Sequence, residues 1–424
     1  VTANPDAKPD TKQFLLSSPT SCAPPRPQPE DPVRMPPLVV AAVLAIGLSI
    51  YVGAQYGTKF GVLLVLGLGL GVALFHSRFG FTSAWRQLIA VGNGTGLRAH
   101  TLLIGTATTL IALIAASGSF LFDSELSVQA SPIGLPLFAG AALFAIGMQL
   151  GGACASGTLF AVGAGQSTIF LTLFGFIAGS VFYTWAYPLF TGWPEVPGLV
   201  LSEHVGWFGS WAITIAALLL IVVLTRVVQA RRNPPPVAPP PSAQGLARIY
   251  RGSWPLLTGA VVLGVLAAAV FLVSGSIWGV TFAFALWGAK LLELVGVDVH
   301  GWEFWQQAKN AQALDSSIFE NGTSLTNIGI MIGAALAAAA AGAWKFRAEI
   351  PWKTALAAVL GGILMGIGAR LAGGCNIGAY LGGISTGNVY GWLWGVAALG
   401  GTWVGLKLRP LFGLGNPKPT DSIC

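Results

Sequence analysis

The chain has 424 residues, of which 54% are hydrophobic and only 9% charged, against about 25% charged in an ordinary soluble domain. That composition excludes a soluble globular protein, which would have to hide far more apolar surface than its fold could cover. The net charge of +7 does not point to nucleic acid, because Lys and Arg gather in loops and at the ends of apolar runs. This distribution orients a protein in a membrane.

Residues 1–35 are polar and proline-rich and hold no apolar stretch of the kind found in a cleaved signal peptide. Disorder is expected there, and Cys22 lacks the apolar run that precedes a lipid-modified cysteine. Met35 stands directly before the first apolar run, so a start at that residue is an alternative reading. Runs of about 18–20 apolar residues cross a bilayer core, which places spans at 37–56, 60–75, 101–121, 133–152, 168–190 and 207–229. The stretch His76–His100 is amphipathic and basic, too polar to span, and is expected to lie in the interface or to enter the membrane partway. Its Arg78, Arg86 and Arg98 read first as ordinary cytoplasmic anchors and second as a basic mouth that gathers anions.

The segment from Arg226 to Arg251 contains RRNPPPVAPPPSAQGLARIYR, a proline-rich linker flanked by arginines and therefore cytoplasmic. It divides the chain into a membrane unit at 36–229, a linker at 230–252, a second membrane unit at 253–412 and a tail at 413–424. Further spans are expected near 254–273, 277–296, 325–344, 352–373 and 388–408. Lys290 and Glu293 should pair or reach the interface, and Trp302, Glu303, Phe304 and Trp305 should form an interfacial belt. The whole reads as an all-α polytopic membrane protein.

The stretch from Gly147 to Gly165, GMQLGGACASGTLFAVGAG, returns as GARLAGGCNIGAYLGGISTG from Gly368 to Gly387. At the 221-residue offset between Cys154 and Cys375, Gly140, Gly147, Leu150, Gly152, Gly157 and Gly179 fall on Gly361, Gly368, Leu371, Gly373, Gly378 and Gly400. Asn93-Gly94-Thr95 with Leu97 likewise matches Asn321-Gly322-Thr323 with Leu325, and both triplets read as turns. Weak internal symmetry of this kind is a transporter signature. The chain is thus expected to consist of two internally repeated halves, each with a broken or re-entrant Gly-Cys helix. Two orientations stand. Six spans before the linker make the halves parallel. A further crossing between Val297 and Ser324 would invert the second half and would keep Lys345, Arg347 and Lys353 inside, while Asp123, Glu125, Glu195 and Glu203 mark the outside.

Irregular backbone at membrane depth is tolerated where it is buried in protein or lines a cavity. The segments after Cys154 and Cys375 look like the starts of half-helices, whose free N–H groups favour anions. Ser156 and Asn376 would act there as caps or ligands, with Gly152, Gly157, Gly374 and Gly378 letting a ligand come close. A thiol is soft, bonds hydrogen weakly and costs little to desolvate, which suits a polarizable anion. Arg370, in the span before the second cysteine, and its counterpart Gln149 read as pathway lining. An unpaired charge there costs about 2.5–3.5 kcal/mol, unless Arg370 snorkels to the interface. The plain alternative is that the cysteines are small apolar core residues and the glycines pack helices.

With these residues in view, GGACASGTL, GGCNIGAYLGGISTGN and SRFGFTSAWR resemble the YeeE/YedE family of bacterial inner-membrane sulfur transporters, over most of Met35–Gly415. The resemblance implies an hourglass-like bundle with short membrane-entering helices around a central path. It implies uptake of thiosulfate, with Cys154 and Cys375 matching cysteines that relay the ion through S–H to sulfur hydrogen bonds. It also implies the bacterial inner membrane as location and a small cytoplasmic sulfur-carrier protein as partner. Thiosulfate-transporting members carry a further cysteine in the first short hairpin, where this chain reads Phe79-Gly80-Phe81-Thr82-Ser83. Either two cysteines suffice, or the substrate is a related species such as sulfite, sulfide or a selenium compound.

No GxxxxGK[ST] loop, CxxC pair or metal-ligand spacing occurs, so neither ATP drive nor a cofactor is expected, and the chain is read as a transporter, not an enzyme. A membrane redox protein that makes and breaks a Cys154–Cys375 disulfide is the alternative from a different class. It requires Cα atoms within about 7 Å. A third is a structural membrane subunit. Cys22 and Cys424, in the polar tails, receive no role.

Overall fold

The computed structural model describes residues 31–122, 124–128, 130–234, 243, 245–346 and 349–417. Cys22, Cys424, Asp123, Arg347 and most of the proline run in the linker lie outside the described residues. Helices account for nearly all of the regular structure. In the first half they are α1 (Met35–Gln55), α2 (Thr58–Ser77), α3 (Phe81–Val91), α4 (Thr95–Ser117), α5 (Leu135–Gly151), α6 (Ala155–Gly163), α7 (Ser167–Trp185) and α8 (Leu201–Arg232). In the second half the longer ones are α9 (Leu256–Ser274), α10 (Phe282–Leu294), α11 (Gly322–Ala340), α12 (Trp352–Leu371) and α13 (Val389–Leu408). A π-helix occupies Asn376–Gly382. Two-residue strands, β1 (Ile133–Gly134) and β2 (Glu195–Val196), pair antiparallel.

Among the described residues, nine stretches are long and apolar enough to cross a membrane, which makes this an all-α multi-pass membrane protein. The span expected at 277–296 is instead a helix of 13 residues, α10, too short to cross. Exposed Val40 and Val43 on α1 and Leu219 and Leu220 on α8 form apolar faces of the kind that meet lipid.

Contacts assign the helix ends to two sides. Arg232, at the end of α8, donates to the carbonyl of Ile89, and Arg98 to Gln229 of α8 at 2.8 Å. The end of α3 and the start of α4 therefore lie on the linker side. The start of α9 joins them, because Trp254 N–H donates to the carbonyl of His76. Leu121 bonds to Leu272 near the other end of α9, so the loop after α4 lies on the far side.

The Asn-Gly-Thr triplets behave as turns. The Asn93 side chain accepts from Thr95 N–H at 3.0 Å, and that of Asn321 from Ser324 N–H at 2.9 Å, capping α11. The start of α1 lies on the linker side, where Arg251 donates to the Asp31 carbonyl, so Tyr56 after its other end, which bonds Ser317 close to Asn321, lies on the far side. Because α4 begins on the linker side, the matched helices α4 and α11 run in opposite directions.

The core is built on close helix approaches. The strongest pairings join the halves: α12 with α7, α11 with α2, α12 with α5, and α13 with α5. Where α5 crosses α12, a Cβ on Gly140 would lie 2.8 Å from the Gly368 carbonyl oxygen, and one on Gly368 2.6 Å from that of Gly140. Small residues let backbones touch in this way, replacing a hydrophobic driving force that lipid does not supply.

Two sequence expectations about the 290–305 region are corrected. Lys290 donates to the Leu314 carbonyl and Glu293 pairs with His300 at 2.7 Å, so the two do not pair with each other. Phe304 and Trp305 are buried against Tyr183 and form a packed cluster, not an exposed belt, because the segment folds back over α7.

Candidate functional site

Both cysteine segments are interruptions between helices. α5 ends at Gly152, whose φ of +88° takes it into left-handed space, and α12 is followed by Gly373 at +59°. Only glycine reaches those angles without strain. After each break the chain starts a new helix whose N-cap is the cysteine itself. Cys154 Sγ accepts from Gly157 N–H at 3.4 Å, and Cys375 Sγ accepts from Ile377 N–H at 3.4 Å. Of the two roles expected of Ser156 and Asn376, cap or ligand, the cap falls to the cysteines instead. The cysteines stand at the turn, and the following residues are already helical. Ser156 Oγ lies 3.6 Å from Cys154 Sγ, and a Cβ on Gly157 would come within 3.3 Å of the same sulfur.

Both thiols are free, buried, and members of one continuous core. The helix that follows Cys154 touches the π-helix that follows Cys375. Asn376 is 0% exposed, and neither its amide nitrogen nor its amide oxygen has a partner. An orphaned buried polar group costs about 1–3 kcal/mol. A π-turn at this point exposes backbone groups that an α-turn would pair, and such turns collect at functional sites.

A cavity of about 200 Å³ opens beside the second cysteine, lined among others by Ser131, Thr281, Arg370, Gly374, Gly378 and Tyr390. Ser127 and Ser131, from the loop after α4, also line it, so it lies on the far side. At about 30 Å³ per liquid water, it holds several waters or one small oxyanion. Gly373 and Gly374, the two residues before Cys375, form part of its wall. Arg370 is held by a 2.7 Å bond from Nη2 to Thr281 Oγ1 and by the Phe282 ring, 5.8 Å from its Cζ. Its Nε has no partner, so the guanidinium is fixed in place with a donor to spare. Tyr390, at the start of α13, donates its hydroxyl to the Ala372 carbonyl and ties the break to the next helix.

Gln149 is elsewhere. It lies on the linker side, bonded to Arg86 and, through its carbonyl, to Arg409. The matched positions Gln149 and Arg370 thus serve opposite ends of the bundle. Arg86 is 3% exposed and so does not act as an interfacial anchor, while Arg78 lies over the Phe75 ring and Arg98 donates to Gln229. Sequence reasoning missed Thr281, Tyr390 and Arg409. Thr281 and Tyr390 carry no local signal, and Arg409 reads as an ordinary charge at a span end. Among the described residues no cluster of His, Cys, Asp and Glu could hold a metal.

The model of a family described as "Sulphur transport" matches residues 76–404. This chain belongs to that family. The sulphur transport match contains every element of the two cysteine segments. The chain is 33% identical over 167 residues to the protein named "Probable transporter YedE" of Escherichia coli strain K12, a stretch that covers 38% of this chain and 39% of that relative. It is 26% identical over 348 residues to the thiosulfate transporter TsuA of Spirochaeta thermophila, covering 80% of this chain and 96% of the relative. TsuA of Escherichia coli strain K12 matches at 26% over 349 residues, 80% of this chain and 92% of that protein.

Proposed function

We propose that this sulphur transport family member carries a small sulfur-containing anion, thiosulfate foremost, across the bacterial inner membrane by way of Cys154 and Cys375. The observation that carries the reading is the pair of buried free thiols, each capping a helix start at a break in the bundle. Each sulfur already accepts an N–H bond, so an arriving anion meets a thiol and the free end of a helix together. The similarity to TsuA over 80% of this chain supports thiosulfate among sulfur anions.

The ion enters from the cavity on the far side, where Arg370 draws it in, and leaves toward the arginine-rich linker, which is cytoplasmic. Successive weak soft sites let the ion pass without being trapped. Opposed directions of α4 and α11, together with the reciprocal glycine contacts of α5 and α12, support halves that are inverted repeats, the arrangement in which alternating access arises by rocking one half against the other. The broken helices then enter the bundle from opposite faces. A small cytoplasmic sulfur-carrier partner rests on the family resemblance alone.

A second reading, a related substrate such as sulfite, sulfide or a selenium compound, is favoured by one observation. The hairpin at 79–83 offers the Thr82 hydroxyl, buried and without a partner, where a thiol is expected for thiosulfate. The deciding experiment is uptake into proteoliposomes of thiosulfate, sulfite, sulfide and selenite side by side, with the wild type and Cys375→Ala. Thiosulfate uptake that vanishes in the variant supports the reading; no uptake of any of the four by the wild type ends it.

A further inference from the structure

On the linker side of the cysteines, three helices bring two arginines onto one glutamine. Gln149, at the end of α5, is 0% exposed, and Arg86 of α3 and Arg409, directly after α13, are 3% and 1% exposed. Arg86 Nε donates to Gln149 Oε1 at 2.9 Å. Arg409 Nη1 donates to the Gln149 carbonyl at 2.6 Å, and its Nε and Nη2 both hold the Gly415 carbonyl. Two guanidinium groups are thus anchored on one residue, Arg86 on its side-chain amide and Arg409 on its main-chain carbonyl. The Gln149 Nε2 donor has no partner.

Similar donors cluster between this point and the π-helix that follows Cys375. Asn376 Nδ2, Trp394 Nε1 and Trp85 Nε1 are likewise buried without acceptors. The rings show that they cluster. Tyr380, in the same π-helix as Asn376, lies 6.2 Å from Trp394 and 5.5 Å from Trp85, and the two tryptophans lie 6.1 Å apart. Trp85 precedes Arg86. Each orphaned donor costs about 1–3 kcal/mol, so the four together call for a compensating partner. Those of Gln149, Trp394 and Trp85 are N–H groups, which an anion satisfies and a cation does not, while Asn376 leaves its Oδ1 without a partner as well.

We propose that Gln149, held between Arg86 and Arg409, is a second station for the transported sulfur oxyanion, on the linker side of the cysteines. It rests on the transport reading above and deepens it. The thiols pass a soft ion, and this station offers the hard oxygens of that ion two fixed positive charges and one unused amide donor. With Arg370 at the far side, a guanidinium then stands at either end of the thiol pair, so that the ion is drawn in at one end and received at the other.

Gln149→Glu tests this. The carboxylate keeps the acceptor that Arg86 uses, removes the free donor and sets a negative charge against the arriving anion. Uptake of labelled thiosulfate into proteoliposomes should fall by about tenfold or more, while the midpoint of thermal unfolding holds or rises. Wild-type uptake in this variant overturns the proposal. If the variant fails to fold, equilibrium binding of labelled thiosulfate to Cys375→Ser protein decides instead. One bound anion per chain that survives the addition of Arg370→Gln supports the second station; none, or one that Arg370→Gln abolishes, overturns it. A wild type that neither binds nor carries any sulfur anion removes the transport reading and this station together; a transporting wild type with an unimpaired Gln149→Glu removes the station alone.

Discussion

Gly147 of α5 and Gly361 of α12 meet backbone to backbone: a Cβ on Gly147 would lie 2.5 Å from the Gly361 carbonyl oxygen, and one on Gly361 2.7 Å from that of Gly147. The pair Gly140 and Gly368 repeats this relation one to two turns away. Because Gly140 matches Gly361 and Gly147 matches Gly368 at the common offset, the two contacts exchange under it. This crossing holds the two broken segments against each other.

Alanine at Gly147 or Gly361 is therefore expected to overpack the crossing and cost about 1–3 kcal/mol. Thermal unfolding in detergent measures it, with Gly400→Ala as the control, since nothing lies within 4 Å of a Cβ there. Equal unfolding midpoints for all three variants would show that the helices can part without loss.

Arg370→Gln should leave the fold intact and weaken capture at the cavity. A hydrogen bond to a charged group is worth about 1.5–3 kcal/mol, so the concentration for half-maximal uptake should rise by roughly tenfold to a hundredfold. Thr281→Val, which removes only the 2.7 Å anchor, should shift the same quantity less. An unchanged half-saturation in Arg370→Gln would take the guanidinium out of substrate capture.

Asn376→Leu separates stability from function. Exchanging the orphaned, fully buried amide for an apolar side chain of similar size removes a desolvation cost of about 1–3 kcal/mol, so the unfolding midpoint should hold or rise. Uptake should fall at least severalfold. A variant that is both more stable and fully active would mark Asn376 as a packing residue.

Cys154→Ser and Cys154→Ala distinguish sulfur from capping. Serine is a better N-cap than alanine by about 1 kcal/mol, so the serine variant should fold at least as well as the alanine variant and keep the bond from Gly157. If a soft atom is required on the path, both should lose thiosulfate uptake. Retention of uptake by serine alone would assign Cys154 the role of a cap.

Much of this architecture could be read from residue order. Apolar length and loop charge place the spans, and the 221-residue echo marks Cys154 and Cys375 without any coordinates. The span assigned to 277–296 was misread, because a 13-residue helix and a loop packed over it have the same apolarity as a crossing; length in a helix is not visible in hydropathy. The caps were also misread at Ser156 and Asn376, since the usual preference for hydroxyl and amide caps hides a sulfur in that place.

Composition alone settled that this chain belongs in a bilayer, because 9% charge leaves water nothing to hold. Local order along the chain likewise marked both breaks, since glycine beside cysteine in an apolar run has few other uses. Which polar residues meet was a matter of three dimensions. Arg370 joins Thr281 across 89 positions, and Arg409 joins Gln149 across 260. Such pairs follow from how helices cross, and crossing depends on the close backbone approach of distant glycines, which no local pattern encodes.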